Sequence, residues 1–500
     1  MPADDPDRVT ARPASLHPTR LAGSARAPLL GVALLLSAAL AAGCTGSSGS
    51  PATTTARGAT TPASTRASTS QATPSASAAS SAPATVPPPS TVTTVASGSV
   101  SSSVIFDCLS PAIQPPCYAP ALFRAAYGIQ SLLDGGLDGR GETVTVVSPA
   151  PSSSGSDGQS AASGQPPSGT DIRKDLEAFD REFRLPAPRV EVVTSLAGAA
   201  SPWQASDEEV GDFEIIHLVA PAAVLRVVLL PSNVLANAEN ATADMLAALP
   251  LAVSGTDVAS ISWSLGEHFF TKAQVARLHS ILLGAEARHV TVLGSSGDHD
   301  ALSDTRFGSS PVKEVSLPAS DPLVLGVGGT TLSMNPLTGA YISETAWNPG
   351  AGGSGGGFSH LYARPAYQDG VPGTGATRGV PDVSAEADAG WPVVLNSGGQ
   401  TWITAGSGTS ASCPLWAGVI TLADQYAHHD LGFVNPAIYA LGRGARYHEA
   451  FHDVTTGDNT ISYGSGTFAG YQAAAGWDPV TGWGSPDAQV LVPLLAAAVG

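Results

Sequence analysis

Basic residues are scarce in this chain. Its 500 residues include 23 Lys and Arg against 41 Asp and Glu, which gives a formal net charge of −18 at pH 7. A nucleic-acid partner requires a basic face that neutralises phosphates, so we expect no such partner.

Long apolar runs are scarce as well. The run at residues 27–42 has about 16 residues, fewer than the roughly 20 that a membrane-spanning helix needs. Arginines precede it and Gly43-Cys44 follows it, which is typical of an export signal. We therefore predict an export signal at residues 1–43 and an extracellular or cell-surface protein. The segment before Cys44 resembles the lipobox of bacterial lipoproteins, so we expect a lipid on Cys44, with a plain signal peptide as the alternative.

Cysteine is rare too, with four residues in the whole chain. Outside the cytosol, Cys108 and Cys117 are candidates for a small-loop disulfide. Cys413 is left over. It is a candidate thiol nucleophile, but we expect a buried residue that packs as a small hydrophobe.

The composition divides the chain after the signal into two parts. Residues 44–103 contain no aromatic and no acidic residue and consist mostly of Ser, Thr, Ala, Pro and Gly. Such a segment buries too little apolar surface to offset chain entropy, so we predict a disordered stalk. From residue 104 to residue 500 the composition is that of one globular domain.

Within this domain, short β-branched runs alternate with helical patterns. Such alternation predicts an α/β fold with a mostly parallel sheet covered by helices, whose chemistry collects beyond the carboxyl ends of the strands. The predicted strands are Thr143–Val147, Val224–Leu230, Val258–Ser262 and Val290–Leu293, and the predicted helices are Asp171–Phe183, Ala241–Leu249 and Thr271–Arg288.

The sharpest local motif is Ser407-Gly408-Thr409-Ser410, followed by Pro414. It lies between a strand-like run at 401–404 and an apolar helical stretch at 415–427. A serine at a glycine-rich turn into a helix has an exposed hydroxyl, and the free N–H groups of the helix can bind an oxyanion. A plain helix N-cap is the alternative. The longer Gly-Thr-Ser-x-x-x-Pro pattern is shared by subtilisins and sedolisins.

The sequence has no histidine in the motif that supplies the catalytic base of subtilisins. None of the eleven histidines is followed by Gly, whereas subtilisins place theirs in a His-Gly-Thr setting. A carboxylate is then the remaining candidate base. Glu208 and Asp212 lie one turn apart on a predicted helix that begins with a Ser206–Glu209 capping box. Two carboxylates this close share a proton, although a solvated acidic helix start is the alternative.

Two further acidic regions follow. Asp298 comes directly after a predicted strand, where it can donate to an oxyanion as a neutral acid or form an ordinary Asx turn. Near the C-terminus, Asp453 and Asp478 lie in Gly-rich loops, whose carboxylates and carbonyl oxygens suit calcium.

Together these residues resemble the sedolisin family of serine-carboxyl peptidases. Ser410 matches its nucleophile, Glu208 and Asp212 its base and the partner of that base, and Asp298 its oxyanion aspartate. His299-Asp300 replace the usual Ser-Gly after that aspartate. The resemblance also implies one structural calcium ion, held by the following residues: Asp453, Val454, Ala474, Gly476 and Asp478.

The resemblance implies a subtilisin-like fold and an acid-acting serine peptidase. We expect a monomer that hydrolyses peptide or protein substrates and contacts a membrane only through a lipid on Cys44. The family normally has a folded propeptide, and ahead of this domain we recognise only the stalk. The alternative is a non-catalytic, surface-displayed binding module on a peptidase fold.

Overall fold

A computed structural model of the protein describes residues 93–94, 103–106, 118–149, 170–193, 203–231, 234–302, 307, 310–350, 352–388, 390–463 and 466–499. The predicted export signal, Cys44, most of the predicted stalk and the Cys108–Cys117 pair lie outside these residues. Within the described ranges, no helix combines the length and apolarity required to cross a bilayer.

The helices are α1 Pro120–Ala126, α2 Ile129–Asp134, α3 Ile172–Phe183, α4 Asp207–Val219, α5 Ala238–Ala252, α6 Lys272–Glu286, α7 Thr409–Ala427, α8 Asn435–Gly442, α9 Tyr447–Ala450 and α10 Ala488–Val499. The strands are β1 Thr93–Thr94, β2 Ser103–Phe106, β3 Thr143–Pro149, β4 Thr170–Asp171, β5 Arg189–Val193, β6 Gln204–Ala205, β7 Val224–Leu230, β8 Val258–Ile261, β9 Leu265–Gly266, β10 Thr291–Ser295, β11 Ser316–Leu317, β12 Leu325–Met334, β13 Tyr341–Ala346, β14 Gly357–Ala363, β15 Thr377–Val380, β16 Val383–Glu386, β17 Trp391–Ser397, β18 Gln400–Gly406, β19 Phe451–His452, β20 Ile461–Tyr463, β21 Gly466–Phe468 and β22 Ser485–Pro486.

Among the described residues, nine strands form the main sheet in the order β1-β5-β7-β3-β8-β10-β12-β13, and β16 also pairs with β12. Every pairing from β5 to β12 in this order is parallel, and so is the pairing of β16 with β12. At the two edges, β1 and β13 pair antiparallel with their neighbours. The prediction of a mostly parallel sheet is therefore confirmed. β1 and the first residue of β2 fall inside the segment that the sequence predicts as a stalk.

Both faces of the sheet are covered by helices. On β7, Leu225, Val227 and Leu229 point into a core shared with α4 and α7. Val228 and Leu230 point into a second core with α5 and α6. Alternate residues of a strand face opposite sides, so a strand buried on both faces is apolar throughout, as β7 is.

The local signals in the sequence locate several element starts. β7 spans the predicted residues, and α6 begins where the predicted helix Thr271–Arg288 does, with a capping box between Thr271 and Gln274. Helix α7, however, begins at Thr409, ahead of the apolar stretch at 415–427 that indicated it. Pro414 therefore lies inside the helix. A proline this close to a helix N-terminus removes only one backbone hydrogen bond.

The free cysteine of the described residues, Cys413, is fully buried in the core around α7. Burial raises the pKa of its thiol to about 12. The thiolate that a nucleophile requires is thus disfavoured. The prediction that Cys413 packs as a small hydrophobe is confirmed.

Candidate active site

Ser410 is the second residue of α7 and is 9% exposed. The residue before the helix, Gly408, has φ +108°, which favours glycine. A β-carbon at Gly408 would lie 3.0 Å from Oγ of Ser410 and 2.9 Å from Oδ2 of Asp298. Glycine at this position therefore keeps open the space between the serine hydroxyl and the Asp298 carboxyl.

The main chain of Ser410 is held by a residue from another strand. In a regular helix the carbonyl of Ser410 would accept from the N–H of residue 414, but that residue is proline and has none. The hydroxyl of Ser262, directly after β8, lies 3.3 Å from this carbonyl oxygen and donates to it. Ser262 thus replaces the hydrogen bond that Pro414 removes.

Glu208 and Asp212 lie on the first turns of α4, which begins with the predicted capping box between Ser206 and Glu209. Glu208 is exposed, whereas Asp212 is only 2% exposed and its Oδ2 has no hydrogen-bond partner. Burial, and then the charge of Glu208, raise the pKa of Asp212 well above its usual value. The pair therefore retains a proton under conditions in which isolated carboxyls ionise.

Asp298 follows β10 at the carboxyl end of the sheet. Its Oδ1 accepts from both the main-chain N–H and the hydroxyl of Thr409, each at 2.8 Å. The hydroxyl of Thr409 in turn accepts from the N–H of Gly297 at 3.1 Å. With Oδ1 held in this way, Oδ2 faces the space beside Gly408.

The four predicted catalytic residues, Glu208, Asp212, Asp298 and Ser410, line one cleft of about 410 Å³. The cleft lies beyond the carboxyl ends of β8 and β10, where an open parallel sheet places its ligands. His299 also lines it, so one imidazole is present beside the four predicted groups.

Sequence reasoning missed three residues of this cleft. Ser262 and Thr409 form the tertiary hydrogen bonds described above. Serine and threonine are common residues, so their presence in the sequence does not predict these bonds. Asp300 is 1% exposed, and neither of its carboxyl oxygens has a hydrogen-bond partner. Burial and the charges of Asp458 and Asp298 raise its pKa to about 7. Its φ of +56° explains why glycine is usual at this position of the family motif, and aspartate tolerates that conformation.

The predicted calcium carboxylates also lie together, in the C-terminal loops. The N–H of Gly476 donates to Asp453 at 3.1 Å, and the N–H of Ala474 donates to Asp478 at 3.1 Å. Asp478 is buried, and burial raises its pKa to about 6. The half-buried Asp453 and the buried Asp478, set against loop backbone, offer hard oxygen ligands of the kind that fit calcium.

A family model and several relatives match this chain. The model of the subtilase family matches residues 197–438. Kumamolisin of Bacillus sp. (strain MN-32) is 34% identical over 331 residues, which are 62% of this chain and 55% of kumamolisin. Tripeptidyl-peptidase 1 of Homo sapiens is 31% identical over 258 residues, which are 48% of this chain and 43% of that protein. The chain thus spans about half the length of these relatives.

A solved structure of Pseudomonas sedolisin, described as a serine-carboxyl proteinase complexed with two molecules of pseudo-iodotyrostatin, is similar to this chain. It superposes with a TM-score of 0.60 at 25% identity, over 75% of this chain and 97% of that chain. These matches support membership of the sedolisin family. The subtilisin-like fold that the sequence implied is confirmed.

Proposed function

We propose that this protein is a serine-carboxyl peptidase that hydrolyses peptide bonds in peptide or protein substrates and acts at acid pH. The observation that supports this most strongly is the space beside Gly408. The Ser410 hydroxyl and the Asp298 carboxyl lie about equally far from it, and the carboxyls of the exposed Glu208 and the buried Asp212 line the same cleft. A reacting carbonyl needs this arrangement of nucleophile, base and oxyanion donor.

In the first step, Oγ of Ser410 attacks the carbonyl carbon of the scissile bond and its proton passes to Glu208. Asp212, buried behind Glu208 and one turn along α4, keeps Glu208 in position. The C–N bond then breaks, and the leaving amine takes the proton from Glu208. Water attacks the acyl-enzyme in the second half of the reaction and regenerates the Ser410 hydroxyl.

Asp298 stabilises the oxyanion as a neutral acid. Thr409 occupies Oδ1, so the proton of the carboxyl is on Oδ2, beside the space in which the oxyanion forms. An ionised Asp298 would repel the oxyanion instead of donating to it. The requirement for this proton is the reason that we place the activity in acid.

We also propose that one structural calcium ion binds the C-terminal loops. The carboxylates of Asp453 and Asp478 would hold it, with the main-chain oxygens of Val454, Ala474 and Gly476. The ion would supply positive charge to a carboxylate that burial otherwise disfavours. Its role is to fix these loops, and it takes no part in the reaction.

We further propose that the protein works as a monomer outside the cytoplasm, either secreted or attached to the membrane by a lipid on Cys44. Residues 1–43 support export through their composition alone. Acid-dependent proteolysis fits a compartment that is not held at neutral pH.

Replacing the nucleophile tests the proposed function directly. We expect Ser410→Ala to reduce peptide hydrolysis to background at acid pH, because no other group in the cleft replaces its hydroxyl. Folding should be retained, because Ser410 lies inside the first turn of α7, after the N-cap position, and the change therefore removes no helix cap. The measurement is cleavage of a denatured protein substrate at pH 3–5, with thermal melting as the check on folding. Ser333→Ala, an exposed serine on β12, is the control and should cleave normally. Cleavage above background by Ser410→Ala would remove Ser410 as the nucleophile, and inactive wild-type protein would favour the binding module.

Thr409 tests the positioning of Asp298. Thr409→Val removes the hydroxyl that donates to Asp298, and we expect kcat/KM to fall by about 10²-fold, the scale of a small misplacement.

The matched control is Thr421→Val on the same helix, whose buried hydroxyl donates only to the Ala417 carbonyl. Thr409→Ser should restore most of the activity. A Thr409→Val enzyme with wild-type kcat/KM would show that Asp298 does not depend on Thr409.

Calcium removal tests the C-terminal loops. At a calcium concentration 100-fold above Kd, a bound ion stabilises the fold by about 2.7 kcal/mol, so Asp478→Asn should melt below the wild type in excess calcium. Differential scanning calorimetry measures the shift. Glu449→Gln, an exposed carboxyl of α9, is the control. Equal calcium-dependent melting shifts in wild type and Asp478→Asn would contradict the C-terminal site.

A further inference from the structure

A second group of carboxylates lies at the edge of the sheet opposite the cleft. Glu142 directly precedes β3, Asp257 directly precedes β8, and Asp430 lies in the loop after α7. One oxygen of each lies within 4.8 Å of an oxygen of the other two, and all three side chains are half-buried. The group is therefore at the amino ends of the parallel strands, away from Ser410.

The main sheet fixes two of these three positions. Oδ2 of Asp257 accepts from the N–H of Thr143 at 2.7 Å, and the N–H of Asp257 donates to the Thr143 carbonyl at 3.0 Å. The Glu142 carbonyl accepts from the N–H of Val224 at 2.9 Å. Backbone hydrogen bonds at the edge of the sheet thus hold Glu142 and Asp257 in place.

Asp424, in the last turns of α7, adds an independent observation. Its side chain is fully buried, and Oδ1 accepts from the N–H of Leu431 at 2.9 Å. Its Oδ2 has no hydrogen-bond partner and no contact with solvent. Burial raises the pKa of this carboxyl, and the nearby charges of Glu142, Asp430 and Asp257 raise it further. A fourth acid therefore faces the group with an unsatisfied oxygen.

The positive charge near this group is already engaged. Arg226 acts on Asp257, but its Nη1 donates to the carbonyls of Ser254 and Gly255. Its Nε lies 3.5 Å from Glu191. Several carboxylates thus share one guanidinium that is held elsewhere, and at neutral pH their mutual repulsion opposes the fold.

We propose that Glu142, Asp257 and Asp430 bind a second divalent cation of the calcium type, and that Asp424 faces it from the core. Calcium takes six to eight oxygen ligands at 2.3–2.6 Å, so two oxygens on one ion are at most about 5 Å apart. The three carboxylates meet that limit, and their partial exposure leaves room for water ligands. The ion ties the end of α7 to the starts of β3 and β8, and it is distinct from the ion proposed at Asp453 and Asp478.

The test is the calcium stoichiometry of the folded full chain at pH 7, measured by isothermal titration calorimetry together with calcium-dependent melting. We expect two ions in the wild type, one in Asp478→Asn, one in Asp430→Asn and none in the double variant. If the ion at this site still binds to Asp430→Asn, its Kd should be at least about tenfold weaker, since one of three charged ligands is lost. Glu142→Gln is a second variant in case Asp430→Asn does not fold, and Glu239→Gln, an exposed acid on α5, is the control.

The outcomes separate the two sites. A wild type that binds one ion and loses it in Asp478→Asn overturns the second site and leaves the C-terminal one intact. Loss of that single ion in Asp430→Asn but not in Asp478→Asn supports the second site and removes the C-terminal one. Unchanged stoichiometry and affinity in both Asp430→Asn and Glu142→Gln overturn the proposal. Saturation by magnesium at equal concentration would overturn the assignment to calcium.

Discussion

The cleft depends on a carboxyl that is buried without a cationic partner. Asp212 is enclosed by α4 and α7, with one oxygen unsatisfied and the charge of Glu208 one turn away. Burial of such a group disfavours its ionised form, so the fold itself keeps a proton in the cleft. The hydroxyl of Ser262 lies beside this carboxyl and donates to the main chain of Ser410, whose carbonyl Pro414 has left without its helical donor. Asp212 and the main chain of Ser410 thus meet at one side chain from the end of β8.

The same principle extends beyond the cleft. Asp175 and Glu214 are almost fully buried, and burial raises the pKa of each well above its usual value. A carboxyl whose pKa is higher in the folded than in the unfolded state stabilises the fold fully below its unfolded pKa, and this contribution is lost as pH rises through the folded pKa. The fold is therefore favoured in acid, where the proposed chemistry also requires protonated carboxyls. At neutral pH, a divalent cation among Glu142, Asp257 and Asp430 would take the place of the protons that these three carboxylates have lost.

Much of this organisation follows from local patterns. The buried strand β7, the capping boxes at Ser206 and Thr271, and the turn at Gly408 each express a short-range rule, so the sequence predicts them. The start of α7 was misplaced because an apolar run marks where a helix is buried, not where it begins.

Tertiary relations have no such local signal. Ser262 and Ser410 are 148 residues apart, and Thr143 and Asp257 are 114 apart, so neither hydrogen bond follows from periodicity or spacing. The burial of Asp300 depends in the same way on distant segments. The predicted signal, lipid and disulfide lie outside the described residues and stay predictions.

The central claim is that carboxyls, and not an imidazole, carry out the proton transfers. The direct test is the pH dependence of kcat/KM for the wild type and for His299→Asn, which removes the imidazole that lines the cleft. We predict that activity peaks in acid and falls as pH rises towards 7 in both proteins. A profile that instead rises with pH through about 6.5, where an unperturbed imidazole loses its proton, and that disappears in His299→Asn, would contradict the account.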